Sequence, residues 1–423
     1  MSPAERRALA TFYRDHLEHA VLPFWLRRAD VDLGGVFTCL DNVTGERVSD
    51  DKFVWSQARW AWTMAHAARM AARGVLSLSH DLLLDRARTT ADFLLRHAFL
   101  DDGAVAYLLS ADGTKKEFVS GKGHDLSFFA DGFVILALTG VARASGDDAY
   151  LERALMAYDA LRVRLDRGAV RSEPYPLPNG CRAHAWPMIM LNVTQELERA
   201  LRSVGHPRTE QLVRDGLADM DAVLAFVRPD GLVQEVACRD GRDTLLTRHV
   251  TPGHAIESMW FVLEQAARHG RDEVIDTAAR VIAKSFDAGW DPEHGGLFRY
   301  VVPGGPEPTG PADGPFERLV LETWDTKIWW PHSETLYATL LAESLTGSSA
   351  FRDIHDRVHE YTFATFPNPD DGVGEWIQIR DRQGRPLDKV VGLPVKDPYH
   401  VTRNLLLLVE LLSEGVEARV DAA

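Results

Sequence analysis

The chain predicts an all-α fold, an (α/α)6 barrel of twelve helices with short β-hairpin pieces in the long loops at one end. Three observations carry this expectation. Apolar residues recur at helical spacing in twelve segments, the connections between them alternate between short and long, and the short ones contain glycine. A unit of helix, long loop, helix and glycine turn thus repeats six times, with a period of roughly 60–75 residues. Six helical hairpins that each leave an apolar face uncovered bury it by closing into a ring.

The elements follow in order. The first helix, 5–28, is joined to the second, 53–73, by the long loop GGVFTCLDNVTGERV, and Gly74 turns the chain into the third, 79–99. DGAVAYLLSADGTK leads to the fourth, 124–144, and Gly146 to the fifth, 147–166. A further long connection reaches the sixth, 183–203, Gly205 the seventh, 207–227, and DGLVQEVACRDGRD the eighth, 252–268. Gly270 then opens the ninth, 271–288, GGLFRYVVPGG precedes the tenth, 326–345, Gly347 the eleventh, 350–365, and DGVGEWIQIRDRQGRP the twelfth, 398–414. Glycine suits a helix C′ position with positive φ, and the long connections read as strand-like pieces with turn signals. HVTRNLLLLVELL is apolar nearly all round, as an inner helix requires, whereas DEVIDTAARVIAKSF has a charged outer face. Residues 1–423 are read as one domain.

Composition narrows the function. With 45% hydrophobic residues, 26% charged residues and a net charge of −15, the chain reads as globular and has no basic face for nucleic acid. No apolar run approaches ~18 residues, and MSPAERRALATFYRDH lacks the apolar core of a signal peptide, so neither a membrane partner nor export is expected, and a cytoplasmic location is the expectation. Cys39, Cys181 and Cys238 lie far apart and form no CxxC, which indicates neither a disulfide framework nor a structural zinc site and fits a reducing compartment. P-loop, dinucleotide, zincin and nucleophile-elbow motifs are absent from the sequence, which removes support for nucleotide hydrolysis, dinucleotide redox chemistry and serine hydrolysis. His355 and His359 have metal-compatible spacing, but the run HDRVH on an outer helix reads as a solvated face, and no metal is expected.

If the even-numbered helices form the inner ring, their N-termini all point to the end bearing the long loops. There WSQARWAW, HDLSFFAD, CRAHAWPM, TPGHAIESMW, TWDTKIWWPHSE and DPYH converge. Read alone, His254 is an ordinary packed histidine. Yet Thr251-Pro252-Gly253-His254 and Asp397-Pro398-Tyr399-His400 share one pattern: N-cap, proline at N1, any residue, histidine at N3. The positive end of the helix dipole disfavours imidazolium, so a neutral, proton-accepting ring is expected at both. Glu257 shares the His254 face. Trp55, Trp60, Trp186, Trp324, Trp329 and Trp330 gather nearby, and two of them are expected to stack on a sugar ring. Asp131, Glu257, Glu322, Asp325 and Glu334 supply carboxylates for a rival glycosidase reading, without a matching pair of motifs.

GGVFTCLD, KFVWSQAR, SFFAD, PGHAIE, KIWWPHSE and KDPYH together resemble the N-acylglucosamine 2-epimerase family, also called renin-binding proteins, along nearly the whole chain. The resemblance implies an (α/α)6 barrel and epimerisation or isomerisation of a free reducing sugar at C2, with His254 and His400 as the proton-transfer pair. It further implies substrate contacts from Arg59, His184, Glu257, Trp330, His332 and Lys396, no required cofactor, and a homodimer. Asp397-Pro398-Tyr399 departs from the Gly-Cys-Phe common before the last histidine in epimerases of N-acetylated sugars, and is nearer the aldose–ketose isomerase branch. Mannose–fructose isomerisation, cellobiose-type epimerisation, and a sugar- or protein-binding module without turnover are the competing functions.

Overall fold

The computed structural model describes residues 1–312, 314–388 and 394–417. Its helices are α1 (Pro3–His16), which runs through a π-helical turn at Leu17–Val21 into α2 (Leu22–Leu26), then α3 (Val54–Ala72), α4 (His80–His97), α5 (Phe128–Ser145), α6 (Asp148–Asp166), α7 (Ala185–Ser203) and α8 (Thr209–Leu224). There follow α9 (Leu245–Arg248), α10 (Pro252–Arg268), α11 (Asp272–Gly289), α12 (Pro315–Thr323), α13 (Trp329–Thr346), α14 (Ala350–Thr365) and α15 (His400–Glu414). All twelve expected helices are present. The short α9 and α12 lie inside long connections and carry too little periodicity to be read from sequence.

The inner ring is α3, α5, α7, α10, α13 and α15, each packed on the next, with α15 returning to α3. Burial separates the two layers. Every residue of α15 from His400 to Leu412 is buried, whereas α11 buries a stripe that includes Val274, Ala278, Ile282 and Phe286. One apolar cluster runs from Ala10 to Leu412. The five turn glycines, Gly74, Gly146, Gly205, Gly270 and Gly347, all take positive φ, from 63° to 73°. The apolar helix α5 has mean hydropathy 1.4 over 18 residues, with 72% of that window buried. The reading that no apolar run approaches that length therefore needs correcting, since Asp131 and Arg143 interrupt a helix that is otherwise long and apolar enough. Its apolar surface is covered by α3, α4, α6 and α7.

The short strands correct the hairpin expectation in part. β1 (Lys52–Phe53) pairs with β2 (Leu108–Leu109), which pairs with β3 (Lys115–Lys116); β4 (Cys181–Ala183) pairs with β5 (Val236–Cys238), and β6 (Lys327–Ile328) with β7 (Ile379–Arg380), all antiparallel. Apart from β2–β3, these ladders join different long loops. Pieces of two or three residues bury their amides against whichever neighbour lies alongside, and β1, β4 and β6 each lead directly into an inner helix.

The expectation for the cysteines is overturned for two of them. Cys181 and Cys238 stand opposite each other in the β4–β5 register and form a disulfide, leaving Cys39 free and buried. The two are 57 residues apart in sequence, so only the pairing of two loops reveals them. Closing a loop of that length stabilises the folded state by roughly 4 kcal/mol in the chain-entropy model. Thermal unfolding with and without dithiothreitol is expected to show a midpoint lower by several degrees in the reduced protein, and coincident curves would contradict the assignment.

Candidate active site

At the loop-bearing end a cavity of ≈ 200 Å³ opens into the ring, lined from α3, α5, α7, α10, α13 and α15 and from the long connections. Its polar lining includes Arg59, Asn192, His254, Glu257, Arg299, Asp397, His400 and Arg403, and its aromatic lining includes Trp55, Phe129, Phe133, Trp329 and Trp330. Of the six tryptophans singled out in the sequence, Trp55, Trp329 and Trp330 therefore face it.

His254 sits where the sequence pattern puts it, at N3 of α10, behind N-cap Thr251 and Pro252 at N1. Thr251 makes no side-chain capping bond. The Nδ1 of His254 meets Glu235 Oε1 at 2.8 Å. Burial opposes the charged imidazolium, but the Glu235 carboxylate, through its charge and this hydrogen bond, outweighs burial and raises the His254 pKa above its ordinary value. The expectation of a neutral ring set by the helix dipole is corrected here, because a carboxylate in contact exceeds the partial charge of a helix end. Burial pushes the Glu235 carboxyl up, and the charge and hydrogen bond of His254 more than reverse this, holding it at about 2.

His400 is built differently from the expected N3 position. Helix α15 begins at His400 itself, with Tyr399 at the N-cap, and the His400 backbone N–H donates to Asp397 Oδ2 at 2.8 Å. Asp397 thus caps by side chain, from two residues outside the N-cap, the position expected for it. The Nδ1 of His400 meets Glu334 Oε1 at 2.7 Å. Glu334 also accepts from Trp260 Nε1 at 2.8 Å and Asn404 Nδ2 at 2.6 Å. Burial raises the Glu334 carboxyl, while the Arg403 charge and the His400 and Asn404 bonds bring it down to about 2. Arg403 Nη2 donates to Glu257 Oε1 at 2.6 Å and also to Glu334 Oε1. Glu257, Glu334 and His400 are close enough to ligate a metal, with one atom each within 4.8 Å of the others. The Arg403 guanidinium bonds to both carboxylates and already supplies a positive charge at that position.

Both imidazoles lie against one indole, that of Trp330. Trp330 stacks on His254 with centroids 5.0 Å apart and planes at 29°, and lies against His400 at 5.6 Å and 38°. Gly253 permits this, since a Cβ there would fall 2.6 Å from Trp330 Cη2 and Cζ3. Gly253→Ala is therefore expected to displace the indole and lower kcat about 10²-fold, the scale of an ~1 Å misplacement in an active site, as steady-state kinetics would show.

The other sequence-derived residues divide between wall and interior. Arg59 lines the cavity, donates to Asp397 Oδ1 at 3.2 Å, and lies over the Phe133 ring at 4.1 Å. His184, His332 and Lys396 do not line it. His184 is buried at the start of α7, its backbone N–H bonded to Glu235 O at 2.9 Å and its ring edge-on to Phe226, and burial lowers its pKa to about 4. His332 accepts from the Leu297 N–H at 2.9 Å and donates from Nδ1 to Ile328 O at 2.7 Å, a neutral ring whose pKa burial holds at about 3. Lys396 Nζ donates to the Asn42 and Trp376 carbonyls, each at 2.7 Å, and pairs with Glu375 at 3.2 Å. All three pin the loops that carry the cavity wall. His355, read as solvated, is buried and bonded to Tyr13 Oη at 2.8 Å. The helical spacing was right, but α14 turns this residue onto α1.

Glu235, Arg403 and Asn192 escaped the sequence reading. Arg403 had a signal, being a lone cation in an apolar inner helix one turn after His400. Asn192 had a similar one in MIMLNVT. Glu235, on a loop 19 residues before His254, had none.

The ring of six hairpins is shared with solved sugar isomerases. Cellobiose 2-epimerase from Bacillus thermoamylovorans B4167 superposes with a TM-score of 0.77 at 17% identity, covering 96% of this chain and 99% of that one. A D-mannose isomerase gives 0.73 at 16%, covering 95% and 97%. In sequence, the chain is 33% identical over 407 residues to N-acylglucosamine 2-epimerase of Bos taurus, covering 93% of this chain and 89% of the relative. The protein is a carbohydrate isomerase. It belongs to the N-acylglucosamine 2-epimerase (GlcNAc 2-epimerase) family, whose model matches residues 35–403.

Proposed function

We propose that the protein epimerises a free N-acylated hexosamine at C2, of the N-acylglucosamine and N-acylmannosamine type, with His254 and His400 as the acid–base pair. The observation that carries this reading is the paired dyad. Each histidine contacts a carboxylate through Nδ1, His254 with Glu235 and His400 with Glu334, and among the described residues nothing bonds to either Nε2. Both rings line the same cavity, so two basic nitrogens are free to act on one bound sugar.

The reaction removes the weakly acidic C2 proton of the open-chain aldose and returns a proton to the opposite face. In one direction one histidine takes the C2 proton on Nε2, the C–H pair forms the C1–C2 double bond, and the carbonyl pair moves to O1. The other histidine, protonated, then delivers a proton to C2 from its own side, and the reverse direction exchanges the roles. Carboxylates on Nδ1 hold the rings oriented and stabilise each imidazolium as it forms. Arg59, partly buried in the wall, supplies positive charge for the enolate oxygen O1. A glycosidase reading gains no support, because Glu257 and Glu334 both bond to Arg403.

Incubation with N-acetylmannosamine, mannose, glucose and cellobiose in deuterated water, followed by NMR, tests the proposal. N-acetylglucosamine carrying deuterium at C2 is expected from N-acetylmannosamine. Fructose from mannose as the main product would replace this reading with aldose–ketose isomerisation, and no turnover of any sugar would remove both.

A further inference from the structure

Helix α7 presents Ala185, Met188, Ile189 and Asn192 to the cavity, the i, i+3, i+4 and i+7 positions of a single helix face. Three are apolar and the fourth is a carboxamide. Asn192 is only 5% exposed, yet its side chain makes no hydrogen bond to any described residue. Its amide atoms are open to the cavity and engaged by no described side chain or backbone group around them, so they are available to bond what enters it. The surrounding wall, with Phe129 and Phe133 from α5, offers apolar surface.

We infer that Asn192 is a specificity-determining residue that binds the acylamido group on C2 of the substrate. An acylamido group is a planar trans amide whose C=O and N–H point to opposite sides, so a carboxamide meets it at one of them. Asn192 Nδ2 donates to the acyl oxygen, and the acyl methyl lies against Met188 and Ile189. A sugar with a hydroxyl at C2 has no oxygen at the acyl position and leaves the apolar surface uncovered. The inference rests on the epimerase reading above and names what distinguishes its substrate.

The test compares wild type, Asn192→Leu and Asn192→Asp, with deuterium incorporation at C2 followed separately for N-acetylmannosamine and for mannose. Asn192→Leu is expected to lose about 10- to 100-fold in kcat/KM on N-acetylmannosamine, mostly through KM, and to stay within about threefold on mannose. Asn192→Asp, which keeps the size and loses the donor, is expected to show the same selective loss, so a packing defect in the leucine variant cannot account for it. Equal losses on both sugars, or no loss on either, overturn the assignment. Wild-type exchange with mannose but not with N-acetylmannosamine also overturns it and leaves the two-histidine chemistry standing, whereas wild-type exchange with neither sugar overturns both.

Discussion

Replacing His400 with asparagine is expected to lower kcat by about 10²–10⁴-fold, the range for removing a positioned general acid or base, with KM little changed. Asparagine retains the size and a donor for Glu334, so the carboxylate behind it stays partnered, but it has no nitrogen that takes up a proton at neutral pH. His254→Asn is expected to do the same. Combining the two should not multiply the losses, because either histidine alone leaves one face of C2 without a proton donor or acceptor, and residues acting as a unit are strongly non-additive. Circular dichroism and the thermal midpoint serve as controls. A His400→Asn protein with kcat within about threefold of wild type would contradict the assignment of this dyad.

The second large effect is expected at Glu235, which bonds to His254 and does not itself line the cavity. Glu235→Gln preserves shape and a possible hydrogen bond while removing the charge that raises the His254 pKa. Burial then dominates and pulls that pKa down. The limb of the kcat/KM profile that reports protonated His254 is expected to move to lower pH, with about a 10²-fold loss at neutral pH. A purely structural glutamate would change rate without moving the limb. Stability carries the same signature with a defined sign. A histidine whose pKa is raised on folding stabilises the protein below its unfolded value, and this contribution is lost as pH rises through the folded value. The wild-type thermal midpoint should therefore decline over that window and the variant's should decline less. Glu235, held at about 2, adds stability that is present above its ordinary pKa near 4.5 and is lost as the pH falls towards 2.

The ring was readable from sequence because its determinants are local. Helical periodicity, the glycine turns at Gly74, Gly146, Gly205, Gly270 and Gly347, and the apolar run of α15 each lie within one window. His254 and His400 were readable for the same reason, as helix starts behind proline. What tunes them was not. Glu235 reaches His254 through the pairing of β4 and β5, and Glu334 reaches His400 across two helices 66 residues apart in sequence. The Cys181–Cys238 bond depends on the same loop pairing. His332 and Lys396 stand in motifs as recognisable as PGH, but their side chains turn to backbone carbonyls and an amide of neighbouring loops. Motif strength marked them as important to the site without separating contact with the cavity from support of its wall.

The most direct test of the central claim, two histidines serving opposite faces of C2, is the early time course of N-acetylmannosamine conversion in deuterated water, with the C2 isotope read by NMR in both product and recovered substrate. Two separate bases predict product fully deuterated at C2 from the first turnovers, while recovered substrate keeps its protium. Product that retains the substrate's own hydrogen at C2 would mean that one group carries the proton between faces, and would contradict the account.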